Sequence, residues 1–170
     1  MSQVNNNSSV SSIMDSIDLG PTGSLQMLFA KLNLAQAQLA KNGAMENINK
    51  IQKSQEAQKE CAAMIAKARD LQNQAKAGDK CTDMPADMKD YFQKNGLKYD
   101  TKGNDDHHNK DEWEYNIQSL TAYRDQLGTD TQQLMVFVQD YMGQYNSYLQ
   151  GANSAIQQGN QTLQSLATGR

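Results

Sequence analysis

An all-α fold is predicted for this chain: a long antiparallel coiled-coil hairpin with a small, mostly irregular insertion between its two helices. Three observations predict it. Only two prolines occur in 170 residues, against a usual share of ~5%. Ala, Gln, Lys and Leu are abundant, and all are good helix formers. Apolar residues recur at alternating steps of three and four over two long stretches, which is the period of a helix that packs along one seam.

Composition narrows the function classes. Hydrophobic residues make up 38% and aromatics 6%, and Asn plus Gln account for about a fifth of the chain. Mean hydropathy is -0.78. The net charge is -3, so the basic footprint of a nucleic-acid binder is missing. No apolar run approaches the ~20 residues of a membrane-spanning helix. These values describe an elongated, polar, helical protein. They disfavour a β-sandwich, a nucleic-acid partner and a direct membrane span.

Residues 1–23 form the first segment. They are rich in Ser and Asn, with isolated Val10, Ile13, Met14, Ile17 and Leu19. Such a stretch buries too little apolar surface to offset its ordering entropy, so it is expected to be disordered. It has neither the basic nor the apolar region of a Sec signal peptide. Two readings stay open for it, a floppy tail and an unstructured export signal.

Gly20-Pro21-Thr22-Gly23 is a turn cluster, and Ser24 follows as a helix N-cap. Leu25, Leu28, Leu32, Ala35 and Leu39 then form one stripe. Gly43 interrupts it and leaves a bend in the helix open. The stripe resumes through Ile48 and Ile51, and later through Ala57, Cys61, Met64, Ala68, Leu71 and Ala75, with Ile65 alongside. Gly78 is the expected stop. The first long helix is therefore placed at 24–78, about 80 Å at 1.5 Å per residue.

The second long helix is placed at 111–170. Trp113, Ile117, Leu120, Arg124, Leu127, Thr131, Leu134, Val138, Tyr141, Tyr145 and Tyr148 step by fours and threes, with two polar interruptions. After Tyr145 the leucines and isoleucines shift by one position, to Leu149, Ala152, Ile156, Leu163 and Leu166. Such a shift reads as the drift of a straight helix or as a stutter. Both stripes are thin, and many of their positions are Ala, Gln or Thr. A two-helix hairpin alone is marginal. The apolar residues of the paired ends are therefore expected to serve self-assembly or chaperone binding: Leu25, Leu28, Leu32, Leu39, Tyr145, Leu149, Ile156, Leu163 and Leu166.

Residues 79–110 break the pattern. Pro85 opens a short helix with Met88, Tyr91 and Phe92 on one face, and Asn95-Gly96 closes it. Leu97 and Tyr99 alternate as in an extended piece, and residues 100–110 read as a polar loop. Tyr91, Phe92, Leu97, Tyr99 and Trp113 are expected to form a mini-core at this end of the hairpin.

No catalytic, cofactor-binding or metal-binding residues are assigned from the sequence. The cluster Asp105, Asp106, His107, His108, Asp111 and Glu112 is read as solvated charge. The run from Asp100 lacks the glycine at position six and the glutamate at position twelve of a calcium loop. Phosphate-binding, zinc-protease and nucleophile-elbow motifs do not occur. A thin hairpin offers no concave apolar pocket, so an enzyme is not expected. Cys61 and Cys81 are read as reduced thiols, with a single bridge as the alternative.

Three stretches carry a family resemblance. Ser24 to Ala77 includes the Gln/Ala-rich run LAQAQLAKNGAMENINKIQKSQEAQ, Met84 to Asp100 reads MPADMKDYFQKNGLKYD, and Leu120 to Leu166 includes TDTQQLMVFVQDYMGQYNSYLQGANSAI. Together with the Ser-rich start, these resemble the first helix, the insertion and the C-terminal assembly helix of EspA/SseB-type filament proteins of type III secretion systems. Needle-tip hydrophilic translocators share the layout but carry a larger insertion. The resemblance implies a secreted structural subunit, outside the cell or on the bacterial surface. It implies a helical homo-polymer that serves as a conduit for delivered proteins, and a cytosolic secretion chaperone before export. Needle and translocator proteins are the further partners implied. No cofactor is implied, and a needle-tip binding module is the alternative.

Overall fold

A computed structural model describes residues 9–19, 24–76, 80–104 and 106–169. The chain is all-α, and two long helices pack heavily against each other with a small strand-containing insertion between them. In chain order the elements are α1 (Val10–Ser16), α2 (Leu25–Lys76), β1 (Thr82–Asp83), α3 (Ala86–Lys94), a 3-10 turn (Lys102–Asn104), β2 (His107–His108) and α4 (Lys110–Ala167). The long helices run through two compact units, one of residues 1–49 and 134–170, the other of residues 50–133.

In the first unit, Ser24 caps α2 as its sequence position predicts: Ser24 Oγ accepts the Met27 N–H at 3.2 Å. The turn cluster at 20–23 and the stop at Gly78 lie outside the described residues. The helices pair antiparallel, since a Cβ placed on Gly43 would meet the Tyr141 ring at 2.8 Å and one on Gly151 would meet Asn33 Oδ1 at 2.9 Å. Gly43 does not end α2, which continues unbroken through it. Its missing side chain is what admits Tyr141. Gly143 faces open space, as does Gly128 in the second unit.

The seam of this unit differs from the expected stripe. On α2 the buried line is Ala30, Asn33, Ala37, Ala40 and Ala44, and not Leu25, Leu28, Leu32, Ala35 and Leu39. Of that expected set only Ala35 is buried, while Leu25 and Leu28 are exposed. On α4 the register does not shift after Tyr145. Its buried line goes on through Ala152, Ala155 and Gly159; Gly159 faces Gln26 and Met27 at the start of α2, and Leu163 and Leu166, farther along α4, are exposed. Small residues let two helices approach closely, and the bulky leucines are then carried to the flanks.

Helix α1 corrects the expectation of disorder across 1–23. Val10, Ile13, Met14 and Ile17 sit at i, i+3, i+4 and i+7, one helical face, and all four are half-buried. Ser9 Oγ caps the helix by accepting the Ser12 N–H at 3.3 Å. Residues 1–8 lie outside the described part.

The second unit holds the larger core. The α2 heptad runs on through Cys61, Ile65, Ala68 and Ala75, and meets Trp113, Ile117 and Leu120 of α4. Its polar layer is satisfied internally. Ser54 Oγ donates to the Leu127 carbonyl at 3.1 Å, and Gln58 Nε2 donates to Thr131 Oγ1 at 3.1 Å. The insertion closes this core as expected. Met88, Tyr91 and Phe92 of α3 are buried, and Leu97 and Tyr99 pack against them. Phe92 and Tyr99 have ring centroids 5.4 Å apart. α3 ends in a Schellman motif: Gly96 has φ 65°, and the Leu97 and Gly96 N–H groups donate to the Phe92 and Gln93 carbonyls.

A two-stranded ladder inside the insertion corrects the reading of 100–110 as polar loop. Thr82 pairs with His108 and Asp83 with His107, antiparallel. Alternation across the ladder sends Asp83 and His107 outward, where they pair with each other. It sends His108 inward, 1% exposed, with its ring edge-on to Trp113 at 5.1 Å. The cluster read as solvated charge is thus split, with one histidine in the core. Trp113 Nε1 donates to Thr82 Oγ1 at 2.8 Å, tying α4 to the ladder. Exposed pairs Lys67–Asp87 and Lys89–Asp106, each 2.7 Å, hold the two aspartates' carboxyl groups below their ordinary range.

Both cysteines are free thiols, Cys61 buried and Cys81 exposed. Cys61 Sγ donates to the Leu120 carbonyl at 3.2 Å. Burial pushes its pKa up, and burial likewise raises that of Tyr91. A group whose folded pKa is raised adds stability below its unfolded value and loses it as pH climbs. This unit should therefore weaken in the alkaline range, with Cys61 affected first. Alkylation at pH 8 should modify Cys81 at least a hundredfold faster than Cys61, because a buried neutral thiol reacts only through opening. Peptide mapping of a timed reaction checks this, and equal rates would contradict the packing described.

Candidate assembly surface

The first unit carries a cluster of exposed apolar side chains at the two helix ends. On the first turns of α2 these are Leu25 (79% exposed), Leu28 and Phe29 (53%). On the last turns of α4 they are Leu163 (54%) and Leu166 (74%). Leu25 and Phe29 line a shallow groove of about 300 Å³ with Ala155, Gln26 and Gln158. Isolated exposed apolar residues need no explanation, but Leu25 and Phe29 share one groove, and several large exposed apolar residues at the ends of two helices make a candidate interaction surface.

The remaining expected residues are placed differently. Leu32, Leu39, Tyr145, Leu149 and Ile156 are half-buried. Tyr145 and Leu149 also line a cleft of about 390 Å³ with Ile13 and Ile17 beside α1 and with Leu34 and Ala37 of α2. α1 therefore shares part of the surface that the sequence reading left open. The expected set is not one continuous face.

Sequence reasoning passed over Phe29, Met135, Val136, Phe137 and Met142, all large, apolar and exposed. Their signal was available: Met135-Val136-Phe137 is an apolar run that no single helical stripe can bury, because successive residues turn by 100°. A second signal is electrostatic. Residues 141–169 contain no Asp, Glu, Lys or Arg, so most of this unit's α4 presents amides, hydroxyls and apolar groups. Copies meeting along such a surface would face no like-charge repulsion, which at close range destabilises association.

The insertion residues Tyr91, Phe92, Leu97, Tyr99 and Trp113 serve the core of the second unit. Among the described residues, one group has the geometry to hold a metal ion: Asp100, His108 and Glu112. No helix among the described residues is long and apolar enough to cross a membrane. The chain matches no family model, no curated protein and no solved structure in the comparisons made.

Proposed function

We propose that this protein is a secreted structural subunit that assembles through the ends of its long helices into an extracellular filament of the type III secretion kind. The filament would form a conduit for delivered effector and translocator proteins. The observation that carries this reading is the exposed cluster Leu25, Leu28, Phe29, Leu163 and Leu166 beside an uncharged 141–169 stretch. Apolar area removed from water is worth about 25 cal/mol per Å². Where such a surface meets a different patch on the next copy and the rotation does not close, the contacts generate a helical polymer. The role is structural, not catalytic. A cytosolic chaperone would cover the same residues before export, and needle and translocator proteins would meet the ends of the polymer.

Negative-stain electron microscopy across a concentration series, run beside light scattering, tests the proposal. Long uniform filaments are expected above a critical concentration. A small closed ring at all concentrations would support a needle-tip binding module instead. A persistent monomer would leave the exposed leucines to a chaperone or another partner and would sink the filament reading.

A further inference from the structure

We infer that Asp100, His108 and Glu112 form a binding site for a zinc-class divalent metal ion, apart from the surface that the proposed assembly uses. One imidazole and two carboxylates each offer a ligand atom, and these atoms all lie within 4.8 Å of one another. His108 Nδ1 and Asp100 Oδ2 are 3.9 Å apart. Two ligand atoms placed tetrahedrally about 2 Å from one cation are ~3.4 Å apart, so a shift of about half an ångström closes that pair on a metal. The mixed nitrogen and oxygen set suits zinc, cobalt or nickel and not calcium or magnesium, which take oxygen alone.

The independent observation is His108 itself. It is 1% exposed, and neither of its ring nitrogens has a hydrogen-bond partner. Buried polar groups are almost always paired, and an orphaned imidazole beside two carboxylates calls for an occupant. Each carboxylate is also held in place. Asp100 is pinned through its N–H, which donates to Asn116 Oδ1 at 2.7 Å. Glu112 is held by the capping box of α4: its Oε2 accepts the Asn109 N–H at 2.9 Å, and Asn109 Oδ1 accepts the Glu112 N–H at 3.0 Å. Its other oxygen remains available. Asp100 and Glu112 also line a surface cleft of about 520 Å³, which supplies a path for the ion and room for a water in a fourth position. A bound ion would join the loop after Leu97, the inner face of β2 and the first turn of α4.

The test uses the full chain, purified without a polyhistidine tag and stripped with chelator. Trp113 is the single tryptophan, and its ring lies against His108, so its fluorescence reports on this site. Titration with Co²⁺ should quench it saturably at one equivalent, and Zn²⁺ should reverse the quench. His108→Gln and Asp100→Asn should each weaken binding at least tenfold, whereas His107→Gln, on the outer face of the same strand, should not. Circular dichroism checks that the variants are folded. If His108→Gln does not fold, Asp100→Asn decides, since it keeps the side chain's size. Absence of saturable quenching, or a titration that neither Asp100→Asn nor a folded His108→Gln alters, would overturn the inference and leave only adventitious surface binding.

Discussion

Leu163→Asp and Leu166→Asp should each abolish polymerisation while leaving the subunit folded. In the free chain both side chains are mostly in water, 54% and 74% exposed. A carboxylate there stays hydrated, and exposed substitutions of this kind change stability by about 0.5 kcal/mol or less. In a polymer the same positions would be covered by a neighbour. An unpaired charge removed from water costs several kcal/mol. At 1.4 kcal/mol per factor of ten, a cost of ~4 kcal/mol lowers association about a thousandfold. Light scattering and negative-stain microscopy at a concentration where the parent polymerises read the loss. Unchanged thermal melts by circular dichroism show that the subunit itself is intact. Filaments of normal length from both variants would count decisively against the assembly surface proposed.

Phe92→Ala should destabilise the second unit by about 3–5 kcal/mol, the range for truncating a fully buried aromatic. Phe92 is 0% exposed and sits in the core with Met88, Trp113 and Leu120. It also stacks obliquely on Tyr99, and its carbonyl accepts the 2.8 Å bond that closes α3. Removing the ring leaves a cavity that the surrounding helices can only partly close, because α3 is held at both ends. Urea denaturation followed by Trp113 fluorescence reads this unit directly. A loss below ~1 kcal/mol would mean that the insertion contributes little to the core. Leu163→Ala, by contrast, removes an exposed side chain and should leave the urea midpoint unchanged.

Much of the architecture was legible because its causes are local. Helical spacing, the scarcity of proline, the Ser24 cap and the Asn95-Gly96 stop are each decided by residues within a few positions of one another. The heptad from Trp113 to Tyr148 is buried or half-buried at every step named from the sequence. The insertion core was legible for a related reason: few large apolar residues lie between the helices, so they have little choice but to pack together.

The seam of the first unit was not legible, because bulk was read as burial. Leu25, Leu28, Leu32 and Leu39 outrank Ala30, Ala37, Ala40 and Ala44 in hydrophobicity, yet the alanines keep the same spacing one face away. Which face turns inward depends on the partner helix. Gly43, Gly151 and Gly159 allow an approach that leucines would block. That choice in turn exposes Leu25 and Leu28, so part of the candidate assembly surface itself follows from tertiary packing. The burial of His108 was decided the same way. Strands of two residues carry no readable period. Only the pairing of Thr82 with His108 across 26 positions of chain turns that ring inward, toward Asp100 and Glu112. The sequence by itself determined the two long helices and the short helix of the insertion with its Asn95-Gly96 stop, though not α1, because those forces act along the chain. The tertiary structure decided which faces are inside, because that depends on how closely two distant segments can approach.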